Sequence, residues 1–422
     1  MKLNLPTKIR RTIKFSLLSF LVLSFIFLLF EGPGTYWQIK TYINQGEEIK
    51  KLVADFGDSD HQVRWEAIKA LGNLKDKRSI PHLIKILNGD RSMRWLAVEA
   101  LGKIKDKGCV DKLLTILKDS DIYIKEVTIW ALGEIGDKKA VNHIIPELNH
   151  ESWEVRKATA EALGIFKDRK ALDPLIKTLD DSYWRVRASA VWALGELKDK
   201  KAVYPIIKSL RDEHKHVQVQ VNSAGALGKI GDEKSIKPLV MALEDDDWNV
   251  TRSAAWALER FGEKALLNLI EVLKSPSADT RALIIWTLGE MKLNQGYEAI
   301  IKHLHDEDGG VRRVTARVLG DWGNPKAVSP LLNALPDKNP EVTVEILFAL
   351  GNYRDKRIAS TLIPYADSFH DIIRWAVVKA LSNFKQKEVI EIIKRALNDE
   401  SEQVREAASE ALNKMKVKLP EK

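Results

Sequence analysis

Nine histidines, one cysteine and 59 carboxylates are the groups with which this 422-residue chain could do acid–base, nucleophilic or metal chemistry. Their spacing argues against all three. His214 and His216, like His303 and His305, are two residues apart, which puts them on different faces of a helix and makes neither pair a chelate. A single cysteine, Cys109, forms neither an internal disulfide nor a Cys-rich zinc site. It fills a slot that Ala140, Ala171 and Ala202 occupy elsewhere, so it reads as a small buried spacer and not as a nucleophile. Glu244-Asp245-Asp246-Asp247 and Asp306-Glu307-Asp308 lack the glycine and terminal Glu of a calcium loop and read as helix caps. No phosphate loop or paired-glycine nucleotide fingerprint is present. Asn249-Val250-Thr251 matches a glycosylation site, but on a helix face. The expectation is no catalytic residue, no metal and no cofactor.

What remains is tryptophan, twelve of them, and their placement has meaning only within the frame that carries them. Ala-Leu-Gly recurs at Leu71, Leu101, Leu132, Leu163, Leu194, Leu227 and Leu350. Leu288 and Leu319 keep Leu-Gly, and looser copies lie at Leu258, Leu381 and Leu412. Successive spacings are 30, 31, 31, 31, 33, 31, 30, 31, 31, 31 and 31 residues, the period of a helical solenoid. Val63, Ala67, Ala70, Leu71 and Leu74 form one apolar stripe at the helical period. Gly72 inside that stripe serves close packing. A second pattern, Ile80 to Leu87, gives another apolar face with Pro81 near its start, where a missing N–H costs least. Asp76, Asp106, Asp137, Asp168, Asp199, Asp232 and Asp355 stand in the turn between the two and are expected to cap the second helix. Seven residues before the marker Leu stands Arg64, Arg94, Arg156, Arg187, Arg281, Arg312, Arg374 or Arg405, with Lys125 once. These arginines and the turn aspartates are expected to form a repeated ion-pair ladder, broken at Gln220, Thr251 and Thr343. The two extra residues of the 33-residue interval fall between Arg211 and Gln220, where a kink is expected.

Within this frame ten of the eleven tryptophans after Trp37 occupy three slots. Trp153, Trp184 and Trp248 lie ten residues before the marker; Trp65, Trp95 and Trp375 lie six before; Trp130, Trp192, Trp256 and Trp286 lie two before. Only Trp322 departs from the pattern; Phe348 takes one of the slots and Tyr123 lies one residue off another. Ten, six and two before are spaced i, i+4, i+8 and share one helix face, roughly opposite the apolar stripe. Indoles on a non-core face, unit after unit, point to recognition of a partner, since Trp and Arg dominate binding energy at interfaces. The competing reading is that the rings fill grooves between neighbouring helices.

Charge and hydropathy divide the chain at its start. The formal charge is +8, but Lys2, Lys8, Arg10, Arg11 and Lys14 carry +5 of it and leave 62 bases against 59 acids in the rest. A near-neutral body excludes the electrostatic footprint of a nucleic-acid binder. Phe15 to Phe30 is free of charge and, with Lys14 snorkelling, long enough for a transmembrane anchor. The basic segment before it should stay cytoplasmic and place the array extracytoplasmic. The alternative is a cleaved signal peptide and a secreted or periplasmic array, but the only small-x-small site near the end of the run is Gly32-Pro33-Gly34. The expected division is a basic segment 1–14, an anchor 15–30, a hinge and lead-in helix 31–45, an array 46–417 and a tail 418–422.

The repeated Asp-x-x-Val-Arg-x-x-Ala-x-x-Ala-Leu-Gly, followed by Gly136-Asp137-Lys138-Lys139-Ala140-Val141, resembles the phycobilisome-lyase type of HEAT repeat over about residues 46–417. The resemblance implies an all-α, right-handed α-solenoid of about twelve helix pairs. It also implies that the helix bearing Val-Arg and Ala-Leu-Gly lines the concave side. On that reading Trp130, Trp153, Trp184, Trp192, Trp248, Trp256 and Trp286 line a groove, with Arg185 and Asn249 adding polar contacts. The expectation is a non-catalytic scaffold for a protein or extended peptide, with an envelope glycan as the alternative ligand. A bilin lyase or isomerase is the enzyme that the family name suggests. HEAT-type deoxyhypusine hydroxylases hold their di-iron centre with His-Glu pairs on the motif helices. Here the one such pair, His150-Glu151, lies in a connecting loop, and the matching slots carry Trp65-Glu66, Trp95-Leu96 and Glu126-Val127.

Overall fold

The Ala-Leu-Gly marker sits in the last turns of one helix per unit. A computed structural model describes residues 45–89, 91–211 and 216–417. Its twelve motif helices are α1 (His61–Leu74), α2 (Arg91–Ile104), α3 (Ile122–Ile135), α4 (Trp153–Phe166), α5 (Trp184–Leu197), α6 (Val217–Ile230), α7 (Trp248–Glu259), α8 (Ala278–Met291), α9 (Gly309–Trp322), α10 (Pro340–Gly351), α11 (Asp371–Leu381) and α12 (Glu402–Lys414). Shorter return helices alternate with them, from residues 45–54 to Lys387–Ala396, giving the twenty-four helices of an all-α solenoid among the described residues. The chain divides into two compact units, one up to Ala193 and one from Leu194. Within each unit consecutive motif helices pack on one another. The basic segment 1–14, the apolar run 15–30, the lead-in before residue 45, residues 212–215 of the stretch expected to hold the two extra residues and the kink, and the tail 418–422 lie outside the described residues. Among the described residues no helix is long and apolar enough to cross a membrane.

The marker is a two-sided packing device. All twelve marker leucines are fully buried. Where glycine follows the marker it receives the alanine of the next motif helix, except that Gly289 meets Val318. In the first unit a Cβ on Gly72 would lie 2.8 Å from Ala100 Cα, and one on Gly102 2.9 Å from Ala131 Cα. In the second, Gly228 meets Ala257 Cα at 2.9 Å and Gly320 meets Ala349 Cα at 2.7 Å in the same way. Backbones at this distance leave no room for a methyl group, which accounts for Ala and Gly flanking the leucine.

Most motif helices end in a left-handed residue, Gly136, Gly231 or Gly323 in some units and Lys75, Lys105, Lys167, Lys198 or Lys292 in others. The expected turn aspartate follows and caps a 3-10 turn leading into the return helix: Asp76 accepts from Arg78 N at 2.9 Å, Asp137 from Lys139 N at 3.0 Å and Asp199 from Lys201 N at 3.0 Å. A small buried residue closes that turn, Ser79, Ala140, Ala171, Ala202 or Cys109. Burial, with Asp106 nearby, pushes the Cys109 thiol up to about 11, in keeping with a packing role.

The expected ladder exists, but its carboxylates are not the turn aspartates. The partner lies 25 residues on, in the loop before the next motif helix. Arg156 forks onto Asp181 at 2.7 and 2.9 Å, Arg281 onto Asp306 at 2.9 and 2.6 Å, and Arg374 onto Asp399 at 2.8 Å twice. The remaining guanidinium nitrogen donates to two carbonyls of its own preceding loop, as Arg281 does to Ser275 O and Pro276 O. The turn aspartates are engaged with backbone N–H groups of their own turn, so the arginine meets the next loop instead. Gln220 keeps the contact weakly, reaching Asp245 at 3.4 Å, whereas Thr251 and Thr343 bond only to their own loops.

This ladder sets the response to acid. The Arg374 guanidinium holds the Asp399 carboxyl below the usual carboxylate range; burial acts the other way and the Ser401 N–H adds to the lowering. A carboxyl with a depressed native pKa contributes stability that is complete above the ordinary aspartate value, about 4, and is lost as pH falls through the native one. The thermal midpoint should therefore hold from neutral pH to about 5 and drop below about 4, with a smaller acid-side drop in Arg374→Ala. An equal drop in the variant would remove Asp399 from the account.

Candidate partner-binding surface

The motif helices present one face to solvent. Residues ten, six and two before the marker lie on it, and the helical period continues the row to the residue two after it. None of the ten slot tryptophans is buried. In the first unit Tyr123, Trp130 and Arg185 are exposed, while Trp65, Trp95, Trp153, Trp184 and Trp192 are half-buried. In the second, Trp248, Asn249, Trp256 and Trp286 are exposed, and Phe348 and Trp375 are half-buried. Trp322, outside the pattern, packs edge-on against buried Tyr297 at 5.3 Å.

The half-burial has a cause. A Cβ on Gly102 would lie 2.8 Å from Trp130 Cζ3, and one on Gly164 2.6 Å from Trp192 Cζ3. These rings therefore cover the marker glycine of the preceding helix with one edge and keep the rest in water. Groove filling and exposure are thus two ends of the same ring, as expected of large amphipathic aromatics.

Several of the predicted residues come together. Trp95 meets Tyr123 edge-on at 5.5 Å across α2 and α3, and Phe348 meets Trp375 at 5.3 Å across α10 and α11. The densest cluster joins α4 and α5. Trp153 lies 4.2 Å from Tyr183, which precedes Trp184, and the Arg185 guanidinium sits 4.5 Å from the Trp184 ring centre and 5.5 Å from that of Trp153. Arg185 also donates to the Tyr183 hydroxyl at 2.5 Å. In the second unit Arg252 lies 4.9 Å over Trp256, a cation–π pair at i, i+4. Lys69 covers Trp65 in the same spacing. Tyr183, Arg252 and Lys69 escaped the sequence reading, although the i, i+4 spacing to a slot tryptophan marks the last two.

Carboxylates share the face in the first unit. Glu126 occupies the six-before slot on α3; burial pushes its carboxyl up, Lys157 opposes this, and Glu154 and Glu161 add to it. Among the described residues no group of three or more His, Cys, Asp or Glu side chains is placed to hold a metal ion. His150 lies in its loop with Nδ1 accepting from Ser152 N at 3.0 Å.

The family comparison decides the architecture. A sequence model of HEAT repeats matches residues 49–114, 110–194, 172–259, 266–342 and 328–413. The chain belongs to the HEAT-repeat family. No curated protein matches the sequence of this HEAT array. Among solved structures, Kap121p bound to RanGTP is 15% identical over 97% of this chain and 53% of its own, with a TM-score of 0.62. Kap95 in its complex with Nup1 is 15% identical over 90% of this chain and 64% of its own, with a TM-score of 0.59. The array thus spans only part of either protein, and a likeness at this identity concerns the fold.

Proposed function

We propose that this HEAT array is a non-catalytic, membrane-anchored scaffold that captures a protein or extended peptide on the indole-bearing faces of its motif helices. The observation that carries the reading is that ten tryptophans on eight motif helices, each on the helix face the core does not use, are none of them buried. Two further observations support it. Arg185 and Arg252 are already poised over indoles, so partner rings and carboxylates meet preformed cations. The structurally similar Kap95 and Kap121p are described in complex with proteins, Nup1 and RanGTP. Carboxylates beside the first unit's rings favour a ligand with cationic side chains.

The anchor is the uncharged run Phe15 to Phe30, with residues 1–14 cytoplasmic and the array outside; cleavage after the run would release the array instead. Envelope glycan recognition is the alternative for the same rings, because flat indoles stack on sugar faces. The bilin lyase reading rests on the resemblance to the phycobilisome-lyase subtype alone.

Trp184→Ala in the first unit and Trp256→Ala in the second test the proposal. Each should remove a contact worth about 2 kcal/mol or more, a thirtyfold loss of partner recovered by crosslinking in native membranes, with helical content and thermal midpoint little changed. Unchanged recovery would reject the indole face. Recovery of polysaccharide in place of protein would select the glycan alternative, and bound pigment the lyase.

A further inference from the structure

The aromatic face leaves one feature of the first unit unused, its distribution of charge between two edges. Every motif helix runs the same way, so the turns into the return helices line one edge and the loops out of them line the other. The turn edge carries residues 75–78, 105–108, 136–139 and 167–170, with ten cations against four aspartates. All but one of those cations are exposed. The opposite loops, residues 57–60, 88–89 and 91, 118–121, 149–152 and 180–183, carry seven acids against two cations. The first unit is therefore strongly polarised between its two edges.

Helix electrostatics accounts for half of this. Acids at the starts of motif helices and cations at their ends complement the helix dipole. It does not account for the rest, because two local preferences are broken on the turn edge. First, the 3-10 turns that lead into the return helices lie there, and lysines and arginines fill them, at the N-terminal end where the dipole disfavours cations. Second, the left-handed closing residue is Lys75 at φ 52°, Lys105 at φ 58° and Lys167 at φ 50°, although Gly136 fills the same position at φ 71° without strain. Locally unfavourable choices repeated along one edge signal a function for the side chains kept there; Lys198 and Lys292 repeat the left-handed choice in the second unit. The aspartates do not neutralise the row. Each caps its own turn, and the ion pairs Lys77–Asp106 at 2.8 Å, Arg78–Asp76 at 2.5 Å, Lys105–Glu134 at 2.7 Å and Lys139–Asp111 at 2.5 Å do not include Lys107, Lys138 or Lys170.

We propose that the turn edge of the first unit lies against anionic phospholipid headgroups. Charge complementarity selects an anionic surface. The sequence selects the bilayer, because these four turns are the first after the apolar run 15–30, with 44 residues between Phe30 and Lys75. The inference rests on the anchored reading of that run for its source of lipid. The row spans successive helices about 10 Å apart, a spacing suited to a surface of many phosphates rather than one bound anion. The acidic edge then faces away, and the array stands on its edge with the indole face open to partners.

The test uses the full chain in lipid nanodiscs of phosphatidylcholine alone or with phosphatidylglycerol at about 2:1. Amine acylation read by mass spectrometry reports each lysine. Lys107, Lys138 and Lys170 should be protected severalfold in the anionic discs only, and about 0.5 M salt should abolish the protection. The triple variant Lys75→Gly, Lys105→Gly and Lys167→Gly should lose about fivefold in lipid contact per lysine removed while its thermal midpoint holds or rises. Asn replacements, which also tolerate the left-handed region, should behave alike. Equal labelling in both discs, or protection brought by an acidic polymer without lipid, overturns the proposal. If alkaline carbonate strips the chain from the discs, the anchor fails by itself; footprinting of the soluble chain with anionic vesicles then decides the edge separately.

Discussion

Arg312→Ala is expected to destabilise its region by about 3–5 kcal/mol, the range for breaking a buried ion pair from one side. Arg312 Nε and Nη2 donate to Asp337 at 2.6 and 2.8 Å, and Nη1 donates to Asp306 O at 2.8 Å and Glu307 O at 3.0 Å. Both charged side chains are under 10% exposed. Truncation leaves the Asp337 carboxylate, with only backbone partners, in a site from which water is largely excluded, and frees two loop carbonyls. Arg312→Lys should recover little, because one ammonium does not reproduce a fork onto a carboxylate together with two carbonyl contacts. Since repeats unfold as neighbouring elements and not as one body, hydrogen exchange in α9 and α10 is the appropriate readout. Loss of protection confined to these helices is the expected result. An effect under about 1 kcal/mol, the range of an exposed pair, would mean that the ladder is ornamental. The double change Arg312→Met with Asp337→Leu supplies the control, since apolar replacement of both partners often restores or exceeds the original stability.

The sequence alone revealed the repeat and its packing stripe because both depend on short spacings within one helix. Leu132 announces its role through the period it shares with eleven other units, and Ala131 and Gly133 through the period they share with most of them. The tryptophans were equally legible as a non-core row, since i, i+4, i+8 fixes a face whatever the helix packs against. The arginine partner was not legible. Asp119, Asp181 and Asp306 lie 25 residues from their arginines, across a return helix, and only the packing of consecutive motif helices brings the groups together. Candidate aspartates were also present in the nearer turn, and what removes them is their engagement with backbone N–H groups, a matter of three-dimensional geometry. The left-handed lysines were hidden for a related reason. Nothing in their spacing marks Lys75, Lys105, Lys167, Lys198 and Lys292 as adopting the backbone that Gly136 adopts.

The same substitution should act with opposite sign at two glycines of the second unit. Gly225 lies in α6, where a Cβ would meet nothing within 4 Å; Gly225→Ala removes backbone freedom from the unfolded chain and should stabilise by about 0.5–1 kcal/mol. Gly320 lies in α9 with Ala349 of α10 against it, and a Cβ there would approach Ala349 Cα to 2.7 Å and Ala349 Cβ to 2.8 Å. The obstruction is backbone, so no side-chain rotation relieves it and the helices must separate. Gly320→Ala should therefore destabilise by about 1–3 kcal/mol in spite of the better helix propensity of alanine. Ala349→Gly introduced beside it would remove one of the two clashing atoms and should return part of the loss, a coupling measurable in a double-mutant cycle. Stabilisation at both positions would show that the marker glycine is a helix-propensity accident. Opposite signs would show that close approach of successive motif helices is what fixes the register of the array, and with it the row on which the exposed indoles stand.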